Sequence, residues 1–211
     1  DYLFPLGNRR KNRREKMSSR KFTRTKNEEH YWASDYHWGH ELVLDPQYDG
    51  RPFKTIEAHD LTILNNHNSI VRPTDHFWFL GDLYLGKDYD YVEMMLKQMN
   101  GVLHFMQGNH DHKKTRKLYE KYGDFRGEQS TIVVDGQQIT NNHCRMYVWP
   151  SSHKGSWCIH GHSHGDLDNA PWGKSIDVSI NIRDMSPTSF PFIKSLMDQR
   201  EALHHHRKKE L

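Results

Sequence analysis

Cysteine is almost missing from this chain: 211 residues contain two, Cys144 and Cys158. Their spacing matches neither a disulfide framework nor a thiolate zinc knuckle, and so few thiols predict a reducing compartment. Long apolar runs are lacking as well. No stretch approaches the ~18–20 apolar residues needed to cross a bilayer, and the start lacks the apolar core of a secretory signal. The expectation is a soluble, cytoplasmic protein with no membrane partner. Apolar residues as a class are scarce, at 35% of the chain, and adding the 14 glycines still leaves it below an average domain.

The shortfall has a location. Residues 1–29 carry Lys or Arg at positions 9, 10, 11, 13, 14, 16, 20, 21, 24 and 26, against Asp1, Glu15, Glu28 and Glu29. This surplus of six exceeds the net charge of +3, so residues 30–211 carry a net charge of −3. The pattern predicts a basic, flexible extension over 1–29 and one domain over 30–211, long enough to bury a real core. Such an extension can add salt-sensitive affinity for nucleic-acid phosphates, although Phe22, its one aromatic within the basic run, gives base stacking little support. A merely solvated tail is the competing reading. Arg-rich composition also fits an organelle transit peptide, against which stand Glu15 and a weak amphipathic pattern.

Beyond residue 29, short apolar runs end in polar clusters and alternate with helix-like stretches, the cadence of an α/β domain. Strands are expected at 31–34, 76–80 and 102–107, and helices at 55–71 and 90–99. Asp135-Gly136 between 131–134 and 138–140 signals a hairpin. Extended runs at 146–149, 157–159 and 175–180 follow, then a helix over 190–203 that frays into His204, His205 and His206, a triplet either native or left from expression.

Seventeen histidines direct attention to metal chemistry. Asp35-Tyr-His37, Gly81-Asp82, Gly108-Asn109-His110-Asp111 and Gly161-His162-Ser163-His164 each follow an expected strand. In an open α/β sheet, that places them together at the strands' carboxyl ends. Singly they are weak signals, since a lone His is more often a satisfied surface or core residue. Jointly they supply carboxylates, an amide and imidazoles suited to Mn²⁺, Fe or Zn²⁺, and glycines before Asp82, Asn109 and His162 permit sharp turns. A carboxylate shared by two cations holds them ~3.5–4 Å apart, and Asp82 is the candidate for that bridge.

These blocks, with His143 between the third and the last, resemble in order the motifs of the calcineurin-like metallophosphoesterase superfamily. The resemblance spans roughly residues 31–180, and Trp32–His40 and Val148–His164 are similar to its compact phage and bacterial branch. It implies a two-sheet β-sandwich flanked by helices, in four αββα layers. One divalent metal would be held by Asp35, His37, Asp82 and His164, the second by Asp82, Asn109, His143 and His162. Mn²⁺ is the first choice, with Fe, Zn²⁺ or Ni²⁺ as others. His110 is implied as the catalytic group, with Asp111 fixing its tautomer and orientation. His143 is selected over His153 and His160 by this resemblance alone, and Cys144-Arg145 after it departs from the family's aromatic and proline.

The implied activity is hydrolysis of phosphodiesters or small phosphomonoesters by hydroxide bridging two metals. Leu83-Tyr84 stands where the family's protein phosphatases have an Asp-Arg pair, which disfavours phosphoprotein substrates. The rival expectations are a non-catalytic metal-containing binding module and a nucleic-acid-associated protein on the same fold. His40 is either a substrate contact or a packing residue.

Overall fold

The computed structural model describes residues 20–22, 28–167 and 172–203. Along the chain run β1 (Arg20–Phe22), β2 (His30–Ala33), α1 (Ile56–Ile70), β3 (His76–Phe79), α2 (Tyr89–Lys97), β4 (Val102–Phe105), α3 (Lys113–Tyr122) and β5 (Asp124–Phe125). The second half contributes β6 (Gln129–Val134), β7 (Gln137–Asn142), β8 (Trp157–His160), β9 (Ser175–Asp177), β10 (Thr188–Ser189) and α4 (Phe190–Met197). The strands form two five-stranded sheets, ordered β10-β2-β3-β4-β5 and β1-β6-β7-β8-β9, so the fold is mixed α/β. In the first sheet β2 to β5 are mutually parallel; in the second the β6–β7 hairpin is the antiparallel step.

Period-two alternation divides each strand between two cores. From β2 and β3, Trp32 and Trp78 point toward the second sheet and pack with Ile132, Ile139, Ile159 and Ile176. Both indoles are fully buried, and each ring N–H is satisfied: Trp32 Nε1 donates to Asn141 Oδ1 (3.0 Å) and Trp78 Nε1 to His30 Nδ1 (3.0 Å). The alternate residues Phe77, Phe79 and Phe105 form the other core with Ile63 of α1, Met95 of α2 and Tyr119 of α3. Caps fix where two of these helices begin: Thr55 Oγ1 accepts from Ala58 N at α1, and Asp88 Oδ1 from Asp90 N and Tyr91 N at α2. On the outer face of the second sheet, Trp149, Cys158 and Leu203 cluster with Met146 and Trp172.

Three expectations are corrected. Residues 20–22, set apart by charge as part of an extension, are strand β1, parallel to β6, and the ring of Phe22 lies edge-on to Trp78 at 5.3 Å and to His76 at 5.1 Å. Charge density averaged over a window hides one apolar residue that packs. Positions 146–149 form no strand; the segment crosses the sheet's outer face, where Trp149 Nε1 donates to Ser156 O (3.0 Å). α4 stops at Met197, so the stretch to 203 is not helical. Most of the basic extension and the triplet His204, His205 and His206 lie outside the described residues. Among the described residues no helix is long and apolar enough to cross a membrane.

Candidate metal centre

Strands β2, β3, β4, β7 and β8 all end at one place, because β2 to β4 run parallel within one sheet and β7 and β8 within the other. The two sheets are joined there: Ser34 N donates to Val178 O (3.2 Å) and Ile180 N to Ser34 O (3.1 Å). The loops following these strands carry two groups of ligating side chains, Asp35, His37 and His164, and Asp82, His143 and His162, each with ligand atoms within 4.8 Å of one another. Asp82 Oδ2 of the second group, 3.3 Å from His143 Nε2, also approaches the first, at 3.9 Å from His37 Nε2. Asn109 joins the second group through Oδ1, 2.8 Å from His143 Nε2.

The backbone is bent to achieve this. Asp35, His37, Asp82, His162 and His164 all have positive φ, between 48° and 69°. Such conformations cost non-glycine residues of order 1–2 kcal/mol each and persist where surrounding contacts hold them. The neighbouring glycines serve approach as well as turning. A Cβ on Gly108 would overlap Asp82 Oδ1, and one on Gly161 would overlap Asp35 Oδ2 and Ser34 Oγ.

Asp35 Oδ1 and His37 Nε2 are buried without hydrogen-bond partners, 3.7 Å apart. Leaving two such atoms unpaired costs about 1–3 kcal/mol each, whereas both are ordinary ligands of a divalent cation. The donor set therefore fits metal. Electrostatics agree. Burial pushes the Asp35 carboxyl up, but the imidazoles of His164 and His37 outweigh it and hold it well below the usual carboxylate range. Burial alone would lower His143 and His164, yet the carboxylates beside them raise His143 to about 9 and His164 to about 10. In the metal-free protein these imidazolium ions supply the positive charge that the buried carboxylates require.

Outer contacts orient the ligands. His143 Nδ1 donates to Leu80 O (2.8 Å), leaving Nε2 for the centre. Ser179 Oγ and His162 N both donate to Asp35 Oδ2 at 2.9 Å. Asp49 and Arg51 were not visible as site residues in the sequence, because they follow no strand and belong to no motif. Asp49 Oδ2 accepts from His164 Nδ1 (3.1 Å) and from Arg51 Nε (2.7 Å). Arg51, only 2% exposed, donates through Nη2 to Asp35 O and through Nη1 to Tyr36 O, both at 2.9 Å. It clamps the turn that presents Asp35 and His37.

His110 lies on the wall of the site with its ring 5.9 Å from that of His37, and its N–H donates to Asp82 Oδ1 (2.8 Å). Asp111 does not hold the His110 ring. Its Oδ2 accepts from Asp82 N (3.0 Å), Gly108 N (2.8 Å) and Tyr119 OH (2.8 Å), and its Oδ1 from Leu83 N (3.2 Å). The carboxylate turns inward because four donors await it there, so it braces two loops of the candidate site. His160, buried with Nδ1 near Gly161 O, belongs to neither group.

No protein-family model matches the chain. A solved structure, that of the protein of unknown function AQ665 from Aquifex aeolicus, shares the fold with a TM-score of 0.65 at 21% identity, over 81% of this chain and 100% of that one. Gene 66 protein of Mycobacterium phage L5 is 22% identical over 164 residues, 65% of this chain and 78% of its own. Uncharacterized protein MJ1445 of Methanocaldococcus jannaschii is 32% identical over 175 residues, covering 80% of this chain and 91% of that protein. The chain belongs to the family of MJ1445.

Proposed function

We propose that the chain is a dinuclear-metal phosphoesterase of the calcineurin-like superfamily, acting on phosphodiesters or small phosphomonoesters. The observation that carries this reading is Asp82 Oδ2, within 3.9 Å of His37 Nε2 on one side and 3.3 Å of His143 Nε2 on the other. One carboxylate facing two ligand groups suits a pair of divalent cations better than a closed structural site. Asp35, His37, Asp82 and His164 would hold one cation, and Asp82, Asn109, His143 and His162 the other, with Mn²⁺ the first choice. Bound there, the pair supplies a water acidified toward neutral pH and a counter-charge for phosphate oxygens. The two-sheet β-sandwich accompanies this reading, with α1, α2 and α3 against the first sheet and, among the described residues, the non-helical cluster around Trp149 and Leu203 on the outer face of the second.

The remaining work falls to the chain. Asp49 and the Leu80 carbonyl fix which imidazole nitrogen of His164 and of His143 faces the centre. Arg51 and Asp111 hold the turns so that the carboxylates converge. His110, on the open wall of the site, gives a proton to the departing oxygen or bonds the phosphate, roles typically worth ~10²–10⁴ in rate.

The test is hydrolysis of bis(p-nitrophenyl) phosphate and p-nitrophenyl phosphate by metal-stripped protein resupplied with Mn²⁺, beside Asp82→Asn and His110→Ala. Mn²⁺-dependent turnover that both substitutions abolish or sharply reduce is expected. Two tightly bound ions without turnover of either ester would instead assign the protein to the non-catalytic binding modules.

A further inference from the structure

Beside the metal centre lies a cavity of about 800 Å³ that none of the proposed metal ligands enters. Its walls are the continuations of two metal-bearing turns: residues 39–42 follow His37, and residues 84–88 follow Asp82. A bridge between Trp38 and Tyr84 ties the two segments together, and Ile56 of α1 and Tyr91 of α2 close the floor. His40 stands between the two spaces, its ring also meeting that of Tyr48, on the wall of the metal site, at 5.6 Å. It lines the cavity, and its ring stacks on that of the ligand His37 at 5.6 Å. Its Nδ1 is buried without a hydrogen-bond partner.

The lining defines what fits. Leu42, Ile56, Leu85 and the rings of Tyr84 and Tyr91 make the surface largely apolar. Leu42, 55% exposed, presents its side chain at this surface. The tyrosine hydroxyls are already engaged, Tyr84 OH donating to Asp88 O (2.6 Å) and Tyr91 OH to Asp60 Oδ2 (3.2 Å); Tyr84 is buried, and Tyr91, partly exposed, presents its ring for contact. Charge narrows the choice further. Glu41, Glu57, Asp60 and Asp88 oppose the single Lys87, so the cavity repels a polyanion such as a nucleic-acid strand.

Resting on the phosphoesterase reading, we infer that this cavity receives the organic group of the substrate, a planar uncharged moiety such as a single nucleoside esterified to the phosphate at the metal centre. His40 is then the contact between the two subsites, through the partly exposed part of its ring.

The test compares two chromogenic diesters, the p-nitrophenyl ester of thymidine 5′-phosphate and the same compound carrying an additional 3′-phosphate. Wild-type protein is expected to favour the first by tenfold or more in kcat/KM. Glu41→Lys/Glu57→Lys, at exposed positions, should shift that ratio at least tenfold toward the second. Hydrolysis of both with a ratio that the double variant leaves unmoved would overturn the cavity assignment while keeping the phosphoesterase reading. Cleavage of bis(p-nitrophenyl) phosphate or p-nitrophenyl phosphate but of neither nucleoside diester would likewise overturn the cavity assignment alone; should none of the four esters be cleaved, the phosphoesterase reading fails, and thymidine alone is titrated against the methyl resonances of Leu42, Ile56 and Leu85. Saturable shifts confined to those methyls retain the cavity as a nucleoside site, and their absence removes it.

Discussion

Nδ1 of His164 lies 3.1 Å from Oδ2 of Asp49, an oxygen that Arg51 Nε holds from the other side at 2.7 Å. Carboxylate, imidazole and metal in series make the ring a stronger ligand and settle its tautomer, and loss of the outer partner typically weakens binding ~10–100-fold. On the proposed dinuclear reading, Asp49→Asn is expected to weaken one of two Mn²⁺ sites by that factor and leave the other intact. A two-site calorimetric titration reads the difference directly, and an unaltered isotherm would show that Asp49 only packs.

Asp111→Ala removes the acceptor for three backbone N–H groups and Tyr119 OH in a site only 3% exposed. Buried donors left unpaired cost about 1–3 kcal/mol each, so urea unfolding should show a loss of about 3 kcal/mol or more. Tyr119→Phe, which frees a single bond, should cost about 1 kcal/mol. A catalytic role for Asp111 would instead leave stability near wild type and change the pH–rate profile.

Phe22→Ala tests the strand hidden in the basic segment. The ring meets Trp78 at 5.3 Å, His76 at 5.1 Å and His104 at 5.9 Å, and is partly exposed. A partly buried phenylalanine should cost about 2 kcal/mol on removal, below the ~3–5 of a full core site. Thermal unfolding of this variant beside a deletion of residues 1–19 separates the strand's contribution from that of the charge.

Acid should loosen the fold through its buried imidazoles. Burial lowers His67 to about 4, despite its bond to Asn100 O. Below pH 6.5 the unfolded chain takes up a proton that the folded ring refuses, so stability is full above 6.5 and declines until pH passes 4. One imidazole shifted in this way accounts for about 2 kcal/mol between pH 7 and pH 5. His67→Gln, compared with wild type by urea unfolding at both pH values, should flatten the decline by that amount.

Much of the centre was legible because Asp35, His37, Asp82 and Asn109 each close an apolar strand, and strand ends are where parallel sheets gather polar residues. What failed was inference from adjacency in the chain. Asp111 follows His110 and was expected to face it, but the four donors behind it outweigh that neighbour. Arg51, which reads as a loop charge after Gly50, is almost wholly buried, since three carbonyl and carboxylate partners replace water. α3 escaped notice for a similar reason: Thr115, Leu118 and Tyr119 form its buried face among seven residues that are mostly charged. A short helix needs few apolar positions when a sheet already waits to receive them.

The edges of the two sheets carry a different consequence. The first sheet ends on both sides in strands of two residues, β10 and β5, and the second begins with three-residue β1, where Lys21 is exposed. Unpaired backbone at a sheet edge is a template for another chain, and a short or lysine-bearing edge is a poor one. β1 thereby finishes its sheet with an edge on which a second molecule cannot easily add a strand, a consequence that concerns no ligand at all.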